Sequence, residues 1–120
     1  MTVFHKIVAG EIPCSKVYED EFTVAFHDIC PQAPVHILVI PKTFAKDFED
    51  ASSEQLTAMR NTVREVVKIV GLAKDGYRII TNVGVNGGQE VPYLHFHILG
   101  GKKLKWDNFV DLDEQAHRSM

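Results

Sequence analysis

Residues 82–101, NVGVNGGQEVPYLHFHILGG, decide how this chain is read: a glycine-rich loop runs into a strand. In an extended segment successive side chains face opposite ways, so Tyr93, His95 and His97 share one side while Leu94, Phe96 and Ile98 share the other. That spacing sets the two imidazoles roughly 6 to 7 Å apart on a single surface. Gly84, Gly87 and Gly88 precede them, and glycine lets backbone amides come close to an anion.

Working back toward the N-terminus, residues 77–82 read as a strand after the Asp75-Gly76 turn. Before it lies the one long helix, residues 52–71. Ser52 and Gln55 form a capping box, Leu56, Met59, Val63, Val66, Val67 and Val70 repeat at helical spacing, and Gly71 stops the run. His36 to Pro41, HILVIP, is apolar, β-branched and short enough for a buried strand. Pro31 and Pro34 make residues 28–34 a rigid connection. Residues 16–19 and 22–28 form an antiparallel pair around Asp20-Glu21, and residues 3–9 form a short helix closed by Gly10. The expected fold is therefore α+β, an antiparallel sheet of about five strands with one long and one short helix. Residues 1–120 make one domain, and residues 107–120 are expected to be a partly ordered tail.

Composition narrows the function classes. A net charge of −3 with Lys and Arg scattered in ones and twos provides no basic stripe, so polymeric nucleic acid is not expected as a partner. No apolar run reaches the roughly 20 residues needed to span a bilayer, which removes a membrane role. Cys14 and Cys30 lack CxxC spacing, and MTVFHKIVAGEIP is too polar for a secretory leader; both point to a reducing, cytoplasmic setting.

Of the six histidines, His5, His27, His36 and His117 form no local motif, and each taken alone reads as structural or solvated. His95 and His97 stand apart. Near neutral pH one imidazole can attack phosphorus while a second holds an oxygen of the same group, so the pair beside the glycine loop points to phosphate handling. The spacing equally fits two packed histidines beside a turn. A metal-ligand pair is the third reading, with no cysteine or carboxylate spaced nearby along the chain to complete the set. On the same footing Asp28 reads as a turn-initiating residue, Phe26 and Ile29 as core, and Asn82 as either a turn or a binding residue.

The strand resembles the signature of the histidine-triad family, histidines alternating with apolar residues before Gly-Gly. KIVAGEIP, VYEDEFTVAFHDICPQAPVHILVIPK and NVGVNGGQEV resemble its purine-nucleotide-binding branch, so the likeness runs over residues 3–106. The resemblance implies a hydrolase of purine nucleoside 5'-phosphoramidates or acyl-adenylates acting through a nucleotidyl-histidine. Dinucleoside polyphosphate hydrolysis and a nucleotide-binding regulatory role are the alternatives. By resemblance His95 is the nucleophile and His97 contacts the phosphate and the leaving atom. His36 supports them, Asp28 binds the ribose hydroxyls, and Phe26 and Ile29 wall the base. Asn82, Gly88, Gln89 and Glu90 occupy the phosphate-contacting loop, with Glu90 where a small hydroxyl residue is common. No cofactor is implied.

Two departures qualify the likeness. The first triad position is Tyr93, expected to support the cluster in place of a histidine. Relatives that bind structural zinc have cysteines where this chain has residues 2–5 and a histidine where it has Phe44, so no metal is expected. The resemblance also implies a homodimer whose sheets join into one, with the tail at Trp106 reaching the partner's site.

Overall fold

The computed structural model describes residues 1–106; the tail 107–120, with His117, lies outside the described residues. In chain order it contains α1 (Val3–Val8), β1 (Lys16–Glu19), β2 (Thr23–His27), β3 (Val35–Pro41), α2 (Ser53–Ile69), β4 (Tyr77–Ile80) and β5 (Phe96–Gly100). The strands form one sheet in the order β1-β2-β3-β5-β4, antiparallel at every pairing. This is the expected five-stranded α+β arrangement.

Local chemistry sets the element ends. Ser52 caps α2, with its side chain accepting from the Gln55 N–H and the Gln55 carboxamide accepting from the Ser52 N–H, as the capping-box pattern requires. At the other end Gly71 takes a φ of 76° and the Leu72 N–H returns to the Val67 carbonyl, closing the last turn. A second capping box, Thr2 with His5, starts α1 and uses an imidazole as its acceptor. Between β1 and β2 the Asp20 carboxylate accepts from the Phe22 and Thr23 amides, which makes the turn.

The sheet has two unlike faces. On one, Met59, Val63, Val66 and Val67 of α2 pack against Ala25, Ile37, Val39, Leu94 and Ile98. Burial of each large aliphatic side chain there stabilises the fold by roughly 1.5–3 kcal/mol. On the other face Phe4 of α1 packs with Val24, Phe26, Leu38, Ile40 and Tyr93.

The strand that carries the histidines begins later than the sequence alternation implies. Regular pairing starts at Phe96, opposite Val39, whereas the Leu94 N–H donates to Ala45 in the loop after β3 and the Tyr93 N–H donates to Val91. The Thr81 hydroxyl takes the His95 carbonyl. Residues 93–95 thus spend their backbone groups on loops, yet the alternation persists: Leu94 faces α2, and Tyr93 and His95 pack on the Phe4 side.

Candidate active site

His36 enters from the start of β3, one residue inside its pairing with β5, and His97 enters from β5 opposite Leu38. Both lie on the face away from α2. The His36 Nε2 and His97 Nδ1 atoms are 2.9 Å apart, and the His95 and His97 rings meet edge to face with centroids 5.0 Å apart. Phe4 sets its ring edge to face against His95, also at 5.0 Å. Together with Asp28, Cys30, Gln32, Leu38, Asn82, Gly88, Glu90 and Val91, these groups line a cleft of about 490 Å³. A larger cleft of about 820 Å³ lies beside the first half of α2, lined by Phe22, Pro41 and Phe44, but it gathers no histidine.

Hydrogen-bond partners assign the proton on each ring. The Gln32 backbone N–H can only donate, and it reaches the His36 Nδ1 at 3.0 Å, so neutral His36 carries its hydrogen on Nε2. That hydrogen points to the His97 Nδ1, which leaves the His97 hydrogen on Nε2. His95 is arranged the opposite way: its Nδ1–H donates to the Tyr93 carbonyl at 2.8 Å, and its Nε2 keeps a lone pair. The two neighbouring rings therefore offer a base and a donor.

Burial keeps all three rings neutral. Desolvation pushes His95 and His36 below the ordinary 6.5, an effect that Asp28 offsets in part. His97 falls to about 4, first through desolvation and then through the neighbouring His95 and His36 charges.

The fold also supplies a carboxylate that spacing along the chain does not reveal. Asp28, His36 and His97 place one ligand atom each within 4.8 Å of one another. Metal-bound histidines normally donate their second ring N–H to an acceptor, whereas His36 receives a hydrogen bond on Nδ1, so its Nε2 would present a hydrogen to any cation. The donor set does not fit a metal. Asp28 instead accepts from the Cys30 N–H at 2.7 Å through Oδ1, with Oδ2 3.5 Å from the His36 Nε2.

Residues 9–104 match the HIT domain. The chain is also 52% identical over 103 residues, 86% of its length and 99% of the relative's, to an uncharacterized HIT-like protein of Helicobacter pylori. It belongs to the HIT family. The purine nucleoside phosphoramidase of Escherichia coli K12 is 45% identical over 106 residues, 86% of this chain and 89% of that one. Among solved structures, a histidine triad protein from Clostridium difficile superposes with a TM-score of 0.83 at 42% identity, covering 88% of this chain and 95% of that one. A HIT family hydrolase from Legionella pneumophila gives 0.85 at 41%, covering 89% and 98%.

Within this HIT chain the cleft gathers His36, His95, His97, Asp28, Asn82, Gly88 and Glu90 from the expected set, and it leaves out Phe26, Ile29, Gln89, Tyr93 and Trp106. Phe26 is 4% exposed in the core behind Phe4, and Ile29 is 95% exposed. Gln89 organises the loop: its Oε1 accepts from the Gly84 N–H, and its Nε2 donates to the Lys46 and Val91 carbonyls. Trp106 packs under the Arg78 guanidinium at 4.9 Å. Tyr93 is fully buried, donates its hydroxyl to the Pro41 carbonyl, and packs against Phe4, His5 and Phe44. Its hydroxyl is thus engaged away from His36, while its carbonyl orients His95. Sequence reasoning missed Leu38, although it shares a strand face with His36 two residues away, and it missed Phe4, for which one apolar residue in a short helix gave no signal.

Proposed function

We propose that this HIT protein hydrolyses purine nucleoside 5'-phosphoramidates or acyl-adenylates and releases the nucleoside monophosphate. The observation that carries the reading is the pair of opposed tautomers, a bare His95 Nε2 beside a His97 Nε2–H in one cleft. His95 attacks the α-phosphorus, forming a phosphorus–nitrogen bond as the bond to the departing group breaks; an amine leaves with the proton of the His97 Nε2–H, whereas an acyl group leaves as its carboxylate with the His97 N–H steadying the charge. Water then attacks the phosphohistidine, releasing the monophosphate and free His95, and its proton restores His97 where the amine took one. Likeness to the Escherichia coli phosphoramidase supports the substrate class.

Asn82 and the Gly88 amide, with Gln89 holding their loop, receive the phosphate. Asp28 has one carboxylate oxygen engaged by the Cys30 N–H, and it keeps its other sites for the ribose diol. The base rests on Phe4 and Leu38, with Phe26 behind Phe4. His95→Ala should lower turnover of an adenosine phosphoramidate by at least roughly 1,000-fold while nucleotide binding survives. Parental turnover by that variant would reject the mechanism.

The protein works as a cytoplasmic homodimer in this reading. Support comes from β4, a terminal strand of the sheet with Tyr77 and Ile79 exposed beside Arg60, Val63 and Arg64 of α2. Such an edge suits pairing with its own copy, which would bring the partner's Trp106 toward the cleft. Light scattering that returns a monomer mass at micromolar concentration would reject the dimer. No helix among the described residues is long and apolar enough to cross a membrane.

A further inference from the structure

The charge of the cleft bears on which leaving group it accepts. Among the described residues its lining includes Asp28 and Glu90 but no Lys or Arg, and its three histidines are neutral for the reasons given above. The formal charges of the described lining are therefore two carboxylates. Asp28 is tied to the Cys30 amide and lies near His36. Glu90 has no hydrogen bond or ion pair among the described residues, and it enters the cleft from the loop between β4 and β5.

We propose that Glu90 selects the leaving group by charge: the preferred substrates are nucleoside phosphoramidates whose departing amine bears a second, protonated nitrogen. Substrates whose leaving group carries an additional anionic group, dinucleoside polyphosphates among them, are disfavoured. A phosphate already brings negative charge into a cleft whose described lining has no cationic side chain. A further anion on the departing group meets the Glu90 carboxylate that lines the same cleft, and like charges repel. A departing ammonium group in the same place gains the attraction. This inference rests on the phosphoramidase reading, because it concerns the group that leaves.

The test compares three adenosine 5'-phosphoramidates built on amines of matched length, one ending in an ammonium, one in a methyl group and one in a carboxylate. For the parent protein, kcat/KM should fall in that order, with the ammonium substrate favoured over the carboxylate by at least roughly tenfold at low salt and less as salt screens the charges. In Glu90→Gln the ratio should shrink to within about twofold, and in Glu90→Lys it should invert. Glu90 is exposed, so these variants keep the fold. A parent ratio near one, or a parental ratio retained in Glu90→Gln, overturns the inference. Failure of the parent to cleave any of the three would instead overturn the phosphoramidase reading, so the two failures are distinguishable.

Discussion

Replacing Tyr93 with Phe isolates the hydroxyl at the one triad position that is not histidine. In the fold this hydroxyl is buried and donates to the Pro41 carbonyl, so the change leaves a buried acceptor without its donor. Such a loss costs about 1–3 kcal/mol, which for a chain of this size lowers Tm by about 4–10 °C at fixed protein concentration. A second signature lies at alkaline pH. Desolvation raises the Tyr93 phenol from 10.0 to about 12, so the unfolded chain gives up this proton before the folded one does. The stability that this neutral phenol contributes is fully present below pH 10.0 and is lost as the pH climbs to about 12. At roughly 1.4 kcal/mol per pH unit, the loss approaches roughly 3 kcal/mol in the parent and is absent in Tyr93→Phe. Urea melts of both proteins between neutral and alkaline pH measure the two terms, with phosphoramidate kcat/KM at neutral pH as the control. Turnover should stay within about twofold, because the His95 hydrogen bond uses the Tyr93 backbone carbonyl and not its side chain. Unchanged stability together with a tenfold drop in turnover would refute this assignment and put the hydroxyl in the chemistry.

Four other outcomes follow from the same geometry. The acid limb of kcat/KM should fall below pH 6.5, because burial lowers the His95 pKa and the bare Nε2 persists until that ring protonates; half-loss at or above 6.5 would contradict it. The half-buried His97 also adds stability that is present above its ordinary 6.5 and lost as pH falls through about 4, which acid titration of the folded state should register. Gly100→Ala would place a methyl group 2.8 Å from the buried Leu72 side chain, and the overpacking should cost about 1–3 kcal/mol in a urea melt. Gln89→Ala removes the contacts to Gly84, Lys46 and Val91, so hydrogen exchange across residues 84–91 should accelerate and KM should rise; unchanged exchange would show that the loop holds itself.

What could be read from the residues was whatever periodicity and capping dictate locally. The Ser52–Gln55 cap, the apolar stripe ending at Gly71 and the β-branched run of β3 each act within a few residues, and each reappears in the fold. Less legible were features built from groups far apart in the chain. Asp28 joins His36 and His97 only because β2, β3 and β5 are neighbours, and no spacing rule along the chain reports that. The His36 and His97 tautomers depend on a single amide, that of Gln32, held by the proline-rich connection. Gln89 and Tyr93 drew attention through their place in a motif, while their side chains satisfy carbonyls at Lys46 and Val91 in loops and at Pro41 at the end of β3, an arrangement that only the folded chain creates. His5 and Phe44, where some relatives hold zinc, stack with ring centroids 4.9 Å apart, an aromatic contact invisible from positions 39 residues apart.

The two unlike faces of the sheet carry a consequence for how such a protein can change. Along β3 and β5 the residues alternate between two tasks, so Ile37, Val39 and Ile98 hold α2 while His36, Leu38 and His97 shape the cleft. Point substitutions can therefore retune chemistry and stability separately, one parity of positions at a time. Inserting or deleting a single codon within either strand swaps the parities, turning imidazoles into the oily layer and aliphatic groups into the cleft. Length variation should be confined to the connections, and a mutational scan of β3 and β5 should tolerate replacements far better than indels.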